Sequence, residues 1–284
     1  MSWIFFVLIG IAGTSLANIL ERALLKDEKS NAFAYSFVFQ LVCAILIGIW
    51  AVIHGFVMPP LKELWPNLAL MSVFYAAGTL FLFKSFKLAP ASEVTIIFST
   101  RVFWTIVVAL VFLGESFNLS KIVGTLLILG GVILVSLNEK FSGIGKGVIY
   151  GLAAAFFWGV AFANDAYVLR YSESISYSFL AFLLPVIPLL AIRPKLPAEL
   201  KPMLKGNTLL KMVSLCFVYA FATLADYYAL HIGGLATQVS PALQTSIIVT
   251  VLLAAVFLGE KKNLAKKLLA ALLATVGVVL LTWK

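Results

Sequence analysis

The chain has 284 residues, of which 62% are hydrophobic and only 12% charged, with a formal net charge of +9. Soluble domains are about half apolar and about a quarter charged, so this composition excludes a water-soluble globule and requires a lipid environment. The positive balance alone would suit a nucleic-acid partner, but its distribution along the chain points to membrane topology and no nucleic acid is expected.

Ten apolar segments follow one another, and most reach the roughly 20 residues that cross a ~30 Å hydrocarbon core. The first, Trp3–Leu20, has no Lys or Arg ahead of it and ends in Glu21-Arg22 rather than a small-residue cleavage site, so it reads as a first helix and not a signal peptide. Ala32–Ile53 follows, then Asn67–Phe86, Ala91–Leu113 and Leu119–Leu137. The sixth segment, Gly147–Leu169, carries a stripe of small residues at every fourth position (Gly147, Gly151, Ala155, Gly159, Ala163), which lets a neighbouring helix approach closely. Tyr177–Ile192 is the shortest, and the proline- and lysine-bearing stretch Arg193–Asn207 after it reads as an extended loop or short surface helix. Leu209–Ile232, Leu235–Leu258 and Leu264–Trp283 complete the series. Apolar residues occupy every face of these segments, and a lipid-exposed backbone must satisfy its own hydrogen bonds, so helices are favoured over strands. Cys43 and Cys216, inside the second and eighth segments, read as plain buried thiols.

Sixteen of the 21 Lys and Arg residues fall in one alternate set of connections, including Arg22, Lys87, Lys146, Arg193, Lys261 and Lys267, and four in the other. The positive-inside rule then places the sixteen-charge side in the cytoplasm and both termini outside. The membrane expected is the plasma (inner) membrane.

Ala91–Lys121 and Ala236–Lys266 are two copies of one segment, identical at thirteen of 31 positions including Val111–Glu115 and Val256–Glu260. Upstream, Tyr75-Ala76-x-x-Thr79-Leu80 recurs as Tyr219-Ala220-x-x-Thr223-Leu224, and Gly13-x-x-x-Ala17-Asn18 as Gly159-x-x-x-Ala163-Asn164. Each copy makes five crossings, an odd number, so direct repetition in sequence becomes inverted repetition in space. The fold expected is an all-α membrane protein of ten transmembrane helices in two inverted five-helix repeats, residues 1–140 and 141–284. Inverted halves enclose a cavity near the midplane that can open to either side.

The stretch Lys87–Leu137, reading K-L-A-P-A-S, then F-L-G-E, then K-I-V-G-T-L-L-I-L-G-G-V-I-L-V-S-L, resembles the EamA-like families of the drug/metabolite transporter superfamily. The second VFLGE and Trp158-Gly159 are similar to the same pattern. The resemblance implies a ten-helix carrier around a central cavity, in families many of whose members export amino acids or other small metabolites.

An ionised group deep in the bilayer costs at least ~2.5–3.5 kcal/mol and is a functional candidate. Arg101 is the deepest, on one helical face with Glu93 and Trp104. Asp226 shares a face with Tyr219, Thr223 and Tyr227, and Asp165 lies one face-repeat beyond Trp158 and Phe162. Arg101, Trp104, Trp158, Tyr75, Tyr219, Thr223, Asn18, Asn164 and Gln244 are the expected substrate-binding residues, although the amides serve equally well as ties between helices. Asp226, Asp165, Glu93, Glu21 and Lys84 are the expected gating or proton-coupling groups. Aromatic walls with a central cation and flanking acids suit a zwitterion or an amphipathic amine. Glu115 and Glu260, just past their helix ends, read as solvated carboxylates that mark the repeat.

The function expected is secondary active export of a small polar or amphipathic metabolite, such as an amino acid or amine. The partners expected are the small-molecule substrate, membrane lipid and protons, with a monomer as the working unit. No ATP-binding glycine loop, metal cluster or nucleophile motif appears in the sequence, so neither a cofactor nor enzymatic activity is expected. An intramembrane lipid-modifying enzyme and a non-transporting scaffold remain the rival readings.

Overall fold

The computed structural model describes residues 3–25, 31–113, 119–136, 145–196, 200, 206–234, 239, 242–243 and 245–282. These are helical, in chain order α1 (Trp3–Leu25), α2 (Ala32–Ile53), α3 (Leu61–Leu88), α4 (Ala91–Phe98), α5 (Arg101–Leu113), α6 (Leu119–Ser136) and α7 (Lys146–Val168). There follow α8 (Ser174–Leu183), α9 (Val186–Ile192), α10 (Gly206–His231), α11 (Ser246–Phe257) and α12 (Leu264–Thr282). Among the described residues seven helical stretches are long and apolar enough to cross a membrane. Large apolar side chains such as Ile49, Val52, Trp65, Phe217 and Phe221 remain exposed, a surface that lipid rather than water would cover.

The described helices match the apolar segments, with two departures that have local causes. The fourth segment is not one helix: it stops at Phe98 and restarts at Arg101. There the hydroxyls of Ser99 and Thr100 bond back to the carbonyls of Ile96 (2.6 Å) and Ile97 (2.9 Å). The backbone tightens to bonds three residues apart, Thr100 N to Ile97 O and Val102 N to Ser99 O. Such back-bonding bends helices without proline. The second copy repeats the device: Thr245 Oγ1 donates to Ala242 O at 2.8 Å just before α11 begins at Ser246. The seventh segment is interrupted at Leu184-Pro185. Pro188 has no N–H to offer Leu184 O, and that carbonyl instead accepts Ile187 N at 3.1 Å and the hydroxyl of Ser72 from α3 at 2.8 Å.

Helix packing exchanges partners between the halves: α1 lies along α10, and α7 along α3, while α2 meets α8 and α6 meets α12. The small-residue stripe of α7 explains its fit. A β-carbon at Gly147 would strike Ala89, one at Gly151 would strike Ile97, and one at Gly159 would strike the carbonyl of Arg101. The two thiols are buried and free, Cys43 Sγ directed at Cys216 O (3.7 Å) and Cys216 Sγ at Phe39 O (3.8 Å). Because α3 and α7 run antiparallel, their polar ties mark opposite ends of the bundle. Ser85 Oγ donates to Gly147 O at one end, and Asn67 Nδ2 donates to Asn164 Oδ1 at the other.

Candidate functional site

Between these ends lies a cavity of about 40 Å³, room for a few water molecules and too small for an amino acid unless helices move. Both halves line it. The first contributes Thr14, Gln40, Tyr75 and Arg101; the second contributes Trp158, Phe162, Phe182, Tyr219, Thr223, Asp226 and Tyr227, with Ala181 and Leu243.

Arg101 reaches the cavity because of the helix break and the glycine opposite it. The break makes it the first residue of α5. Thr105 Oγ1 binds the carbonyls of both Arg101 (3.1 Å) and Gly159 (3.0 Å), pinning α5 onto α7. Its guanidinium carbon stands 4.7 Å from the centre of the Phe98 ring, a cation–π placement that holds a cation where no water-filled bulk is available. Asp226 arrives from α10, and its Oδ1 occupies the place a β-carbon of Gly10 would take. That oxygen is buried and has no hydrogen-bond partner among the described residues. The Trp158 ring fills the space left by Gly78, edge-on to Tyr75 at 4.8 Å, and its Nε1 is likewise buried without a partner among the described residues.

Beside the cavity, Asp165 is completely buried and accepts three tyrosine hydroxyls. Tyr177 binds Oδ1 at 2.6 Å, while Tyr227 (2.5 Å) and Tyr75 share Oδ2. The four residues come from α7, α8, α10 and α3, so one carboxylate gathers four helices. At the same end Glu173 caps α8, accepting from Ile175 N (2.8 Å) and Ser176 N (2.7 Å). Partial burial pushes its carboxyl up, but these N–H donors outweigh that and hold it below the ordinary carboxylate range.

The opposite end is ionic, and here Glu260 is not the solvated carboxylate expected from its position after a helix stop. It accepts Ala91 N (3.0 Å) and Ser92 N (3.1 Å) and the Ser92 hydroxyl (2.6 Å), capping α4, and lies 3.9 Å from Arg22 Nε. The α4 N-terminus presents unsatisfied N–H groups under Pro90, and a carboxylate from the other half is drawn to them. Arg22 in turn donates to Phe86 O (2.6 Å) and Lys87 O (3.1 Å), the open carbonyls of the α3 C-terminus. Lys267, counted in sequence among the loop charges, is buried in the first turn of α12 and pairs with Glu93 at 3.8 Å.

The structure thus brings Arg101, Trp158, Tyr75, Tyr219, Thr223 and Asp226 to one cavity, and places Asp165 in contact with its wall through Tyr75 and Tyr227. It leaves others elsewhere. Trp104 packs edge-on to Phe156, Asn18 reaches Thr250 at 3.4 Å, and Asn164 binds Asn67, each joining two helices. Lys84 stands over the rings of Phe81 and Tyr150. Glu21 is buried outside the cavity lining, its Oε2 without a partner among the described residues. Gln244, Gln238 and Glu115 lie outside the described residues. Sequence reasoning missed Thr14 and Gln40, and put Tyr227 on the face of Asp226 without counting it among the site residues; Gln40 had a signal, being an amide alone in the apolar run of α2.

The family model described as the EamA-like transporter family matches residues 1–137 and again 145–283. No curated protein matches. A solved crystal structure, titled only as that of a protein, aligns with a TM-score of 0.67 and 17% identity over 97% of this chain and 94% of its own, which establishes likeness of fold.

Proposed function

The chain belongs to the EamA-like transporter family, and from that premise we propose that it is a secondary active exporter of a small polar or amphipathic metabolite such as an amino acid or amine. Residues 1–140 and 141–284 are its two inverted five-helix repeats, and alternating access at the shared cavity is its cycle. Three features support inversion: the family match in two ranges, the exchanged packing of α1 with α10 and α7 with α3, and the helix break repeated at Thr100 and Thr245.

The observation that carries the reading is the cavity itself. It lies between the halves, holds a cation and a carboxylate from opposite repeats, and retains buried polar groups without partners among the described residues. Buried polar groups are normally satisfied, so a site kept unsatisfied is one that a ligand completes. Arg101 would take the anionic end of a zwitterion and Asp226 its ammonium.

The two ends act as gates. With the sixteen-charge side cytoplasmic and both termini outside, the Arg22–Glu260 and Glu93–Lys267 pairs close the cytoplasmic end and the Asp165 cluster closes the outer one. The chain works as a monomer in the plasma (inner) membrane, since one copy supplies both halves of the cavity. Proton movement is coupled through Asp226 or Asp165, the buried acids at or beside the cavity.

Counterflow in proteoliposomes tests this with a panel of labelled amino acids and amines under imposed pH gradients. Uptake of at least one compound is expected, with Arg101→Ala and Asp226→Asn each reducing its rate at least tenfold. Absence of flux across the panel, or full flux in Arg101→Ala, would sink the reading.

A further inference from the structure

We infer that the seam between α3 and α7, at the ionic end of the bundle, binds an anionic phospholipid. Its phosphate sits on Lys84 and Lys146, and an acyl chain runs along the rings of Tyr150, Phe81 and Phe157. The site lies on the outer surface of the bundle and is independent of any transport cycle.

Lys84 stands four residues before the end of α3, about 6 Å of helix rise. It shares a helical face with Val73, Ala77 and Leu88, of which Val73 and Leu88 are exposed large apolar side chains, so this face meets lipid. Its Nζ is 5.5 Å from the centre of the Phe81 ring and 5.3 Å from that of Tyr150 on α7. Phe81 in turn stacks on Tyr150 at 5.8 Å and 19°, and on Phe157 at 5.8 Å and 13°. The three half-buried rings make a near-parallel file. Phe157 lies seven residues along α7 from Tyr150, about 10 Å, so the file leads from the helix end toward the middle of the bundle. Ser85 Oγ donates to Gly147 O at 2.7 Å, which joins the two helices beside both lysines. Lys146 is exposed, one turn ahead of Tyr150 and on its face.

The ligand class follows from charge and surface together. Glu93 and Glu260, carboxylates of this end, are engaged with Lys267, with Arg22 and with the start of α4. Among the described residues Lys84 faces aromatic rings and pairs with no carboxylate. A lysine stem laid on apolar surface carries its ammonium to headgroup depth. A soluble anion would meet the two charges but leave the rings and the exposed Leu88, Ile149 and Leu152 uncovered. A zwitterionic lipid would cover them but set its own ammonium against two lysines. An anionic phospholipid satisfies both, as basic clefts between membrane helices do. Residues of both halves contribute, so occupancy ties α3 to α7.

The test titrates the delipidated full chain in neutral detergent with phosphatidylglycerol, with phosphatidylcholine of the same acyl chains, and with glycerol 3-phosphate. Melting temperature and lipid retained in native mass spectrometry are read. Phosphatidylglycerol is expected to raise the melting temperature by about 3 °C or more beyond phosphatidylcholine, with glycerol 3-phosphate inert. Lys84→Met, which keeps the apolar stem, and Lys146→Met are each expected to weaken phosphatidylglycerol retention about fivefold or more. Lys62→Met, at the exposed start of α3 on the opposite end, should leave it unchanged. Equal effects of the two lipids would overturn the site, and stabilisation by glycerol 3-phosphate would replace the lipid with a soluble phosphate. Full retention in both lysine variants, or an equal loss in Lys62→Met, would also overturn it by showing attraction to charge in general. The wild-type comparison needs no variant to fold and no transported substrate, so its failure leaves the transport reading standing, and failed counterflow leaves this site standing.

Discussion

The two ends of the bundle are closed by different chemistry. At the end where α1 and α3 finish and α4 and α12 begin, helix termini are exposed to one another, and the seal is electrostatic. Arg22 occupies carbonyls at the end of α3, and Glu260 occupies N–H groups at the start of α4. At the other end Asp165, in the last turn of α7, is completely buried, and its seal is a set of hydroxyl donors from three helices in place of ion pairs and backbone groups. An ion pair at helix ends can exchange partners with water as it opens. A carboxylate ringed by tyrosines loses its solvation if it opens without either water or a proton to replace them. Under the proposed alternating-access cycle the two ends would be unequal gates, one responding to ionic conditions and one to protonation.

Removing the tyrosine-bound carboxylate should break the comparison most strongly. Asp165→Ala leaves three buried hydroxyls without their acceptor and is expected to cost roughly 3–5 kcal/mol, seen as a large fall in melting temperature of the detergent-solubilised protein. A loss below about 1 kcal/mol would mean that Asp165 does not hold the four helices together. At the ionic end, Glu260→Ala removes both the α4 cap and the partner of Arg22, at about 1–3 kcal/mol. It should also increase thiol-reagent labelling of a cysteine placed at Thr14, relative to the same cysteine in an otherwise wild-type chain. Unchanged labelling would separate the cap from any gate. Lys267→Met strands Glu93 and is expected to cost about 1–3 kcal/mol, and adding Glu93→Gln should recover part of that loss. Additive costs in the double variant would show the pair to be uncoupled.

The smallest effect belongs to Glu173. Its carboxyl is held below the usual range by the N–H groups of α8, so its stabilising contribution is present above the unfolded value of about 4.3 and is lost as pH falls through the lower folded value. Glu173→Gln should therefore be slightly less stable near pH 7, with the difference from wild type shrinking below pH 4. A constant difference across that range would refute a role for the charge.

Within the site, legibility followed the range of the interaction. Arg101, Asp226 and Asp165 stood out in sequence because a charge inside an apolar run is conspicuous wherever the chain folds. Trp104 was chosen from its helical spacing to Arg101 and shares α5 with it, but its ring packs on Phe156 of α7 instead of lining the cavity. Glu260 misled for a related reason. A carboxylate after a glycine stop is solvated unless another helix begins beside it, and the helix beside it starts 169 residues earlier in the chain.

The amino-acid sequence by itself determined that this is a membrane-embedded helical bundle with a duplicated plan, because hydropathy, backbone hydrogen bonding and repetition are properties of each stretch alone. Only the tertiary structure decided which polar groups satisfy each other and which stay open. That separates Gln40, Trp158 and Asp226, which line a cavity and carry atoms unpaired among the described residues, from Asn18, Asn164, Glu93 and Glu260, which bind partners on other helices. The reason is physical: whether a buried polar atom is satisfied depends on a neighbour brought by another helix, and no local pattern contains that neighbour.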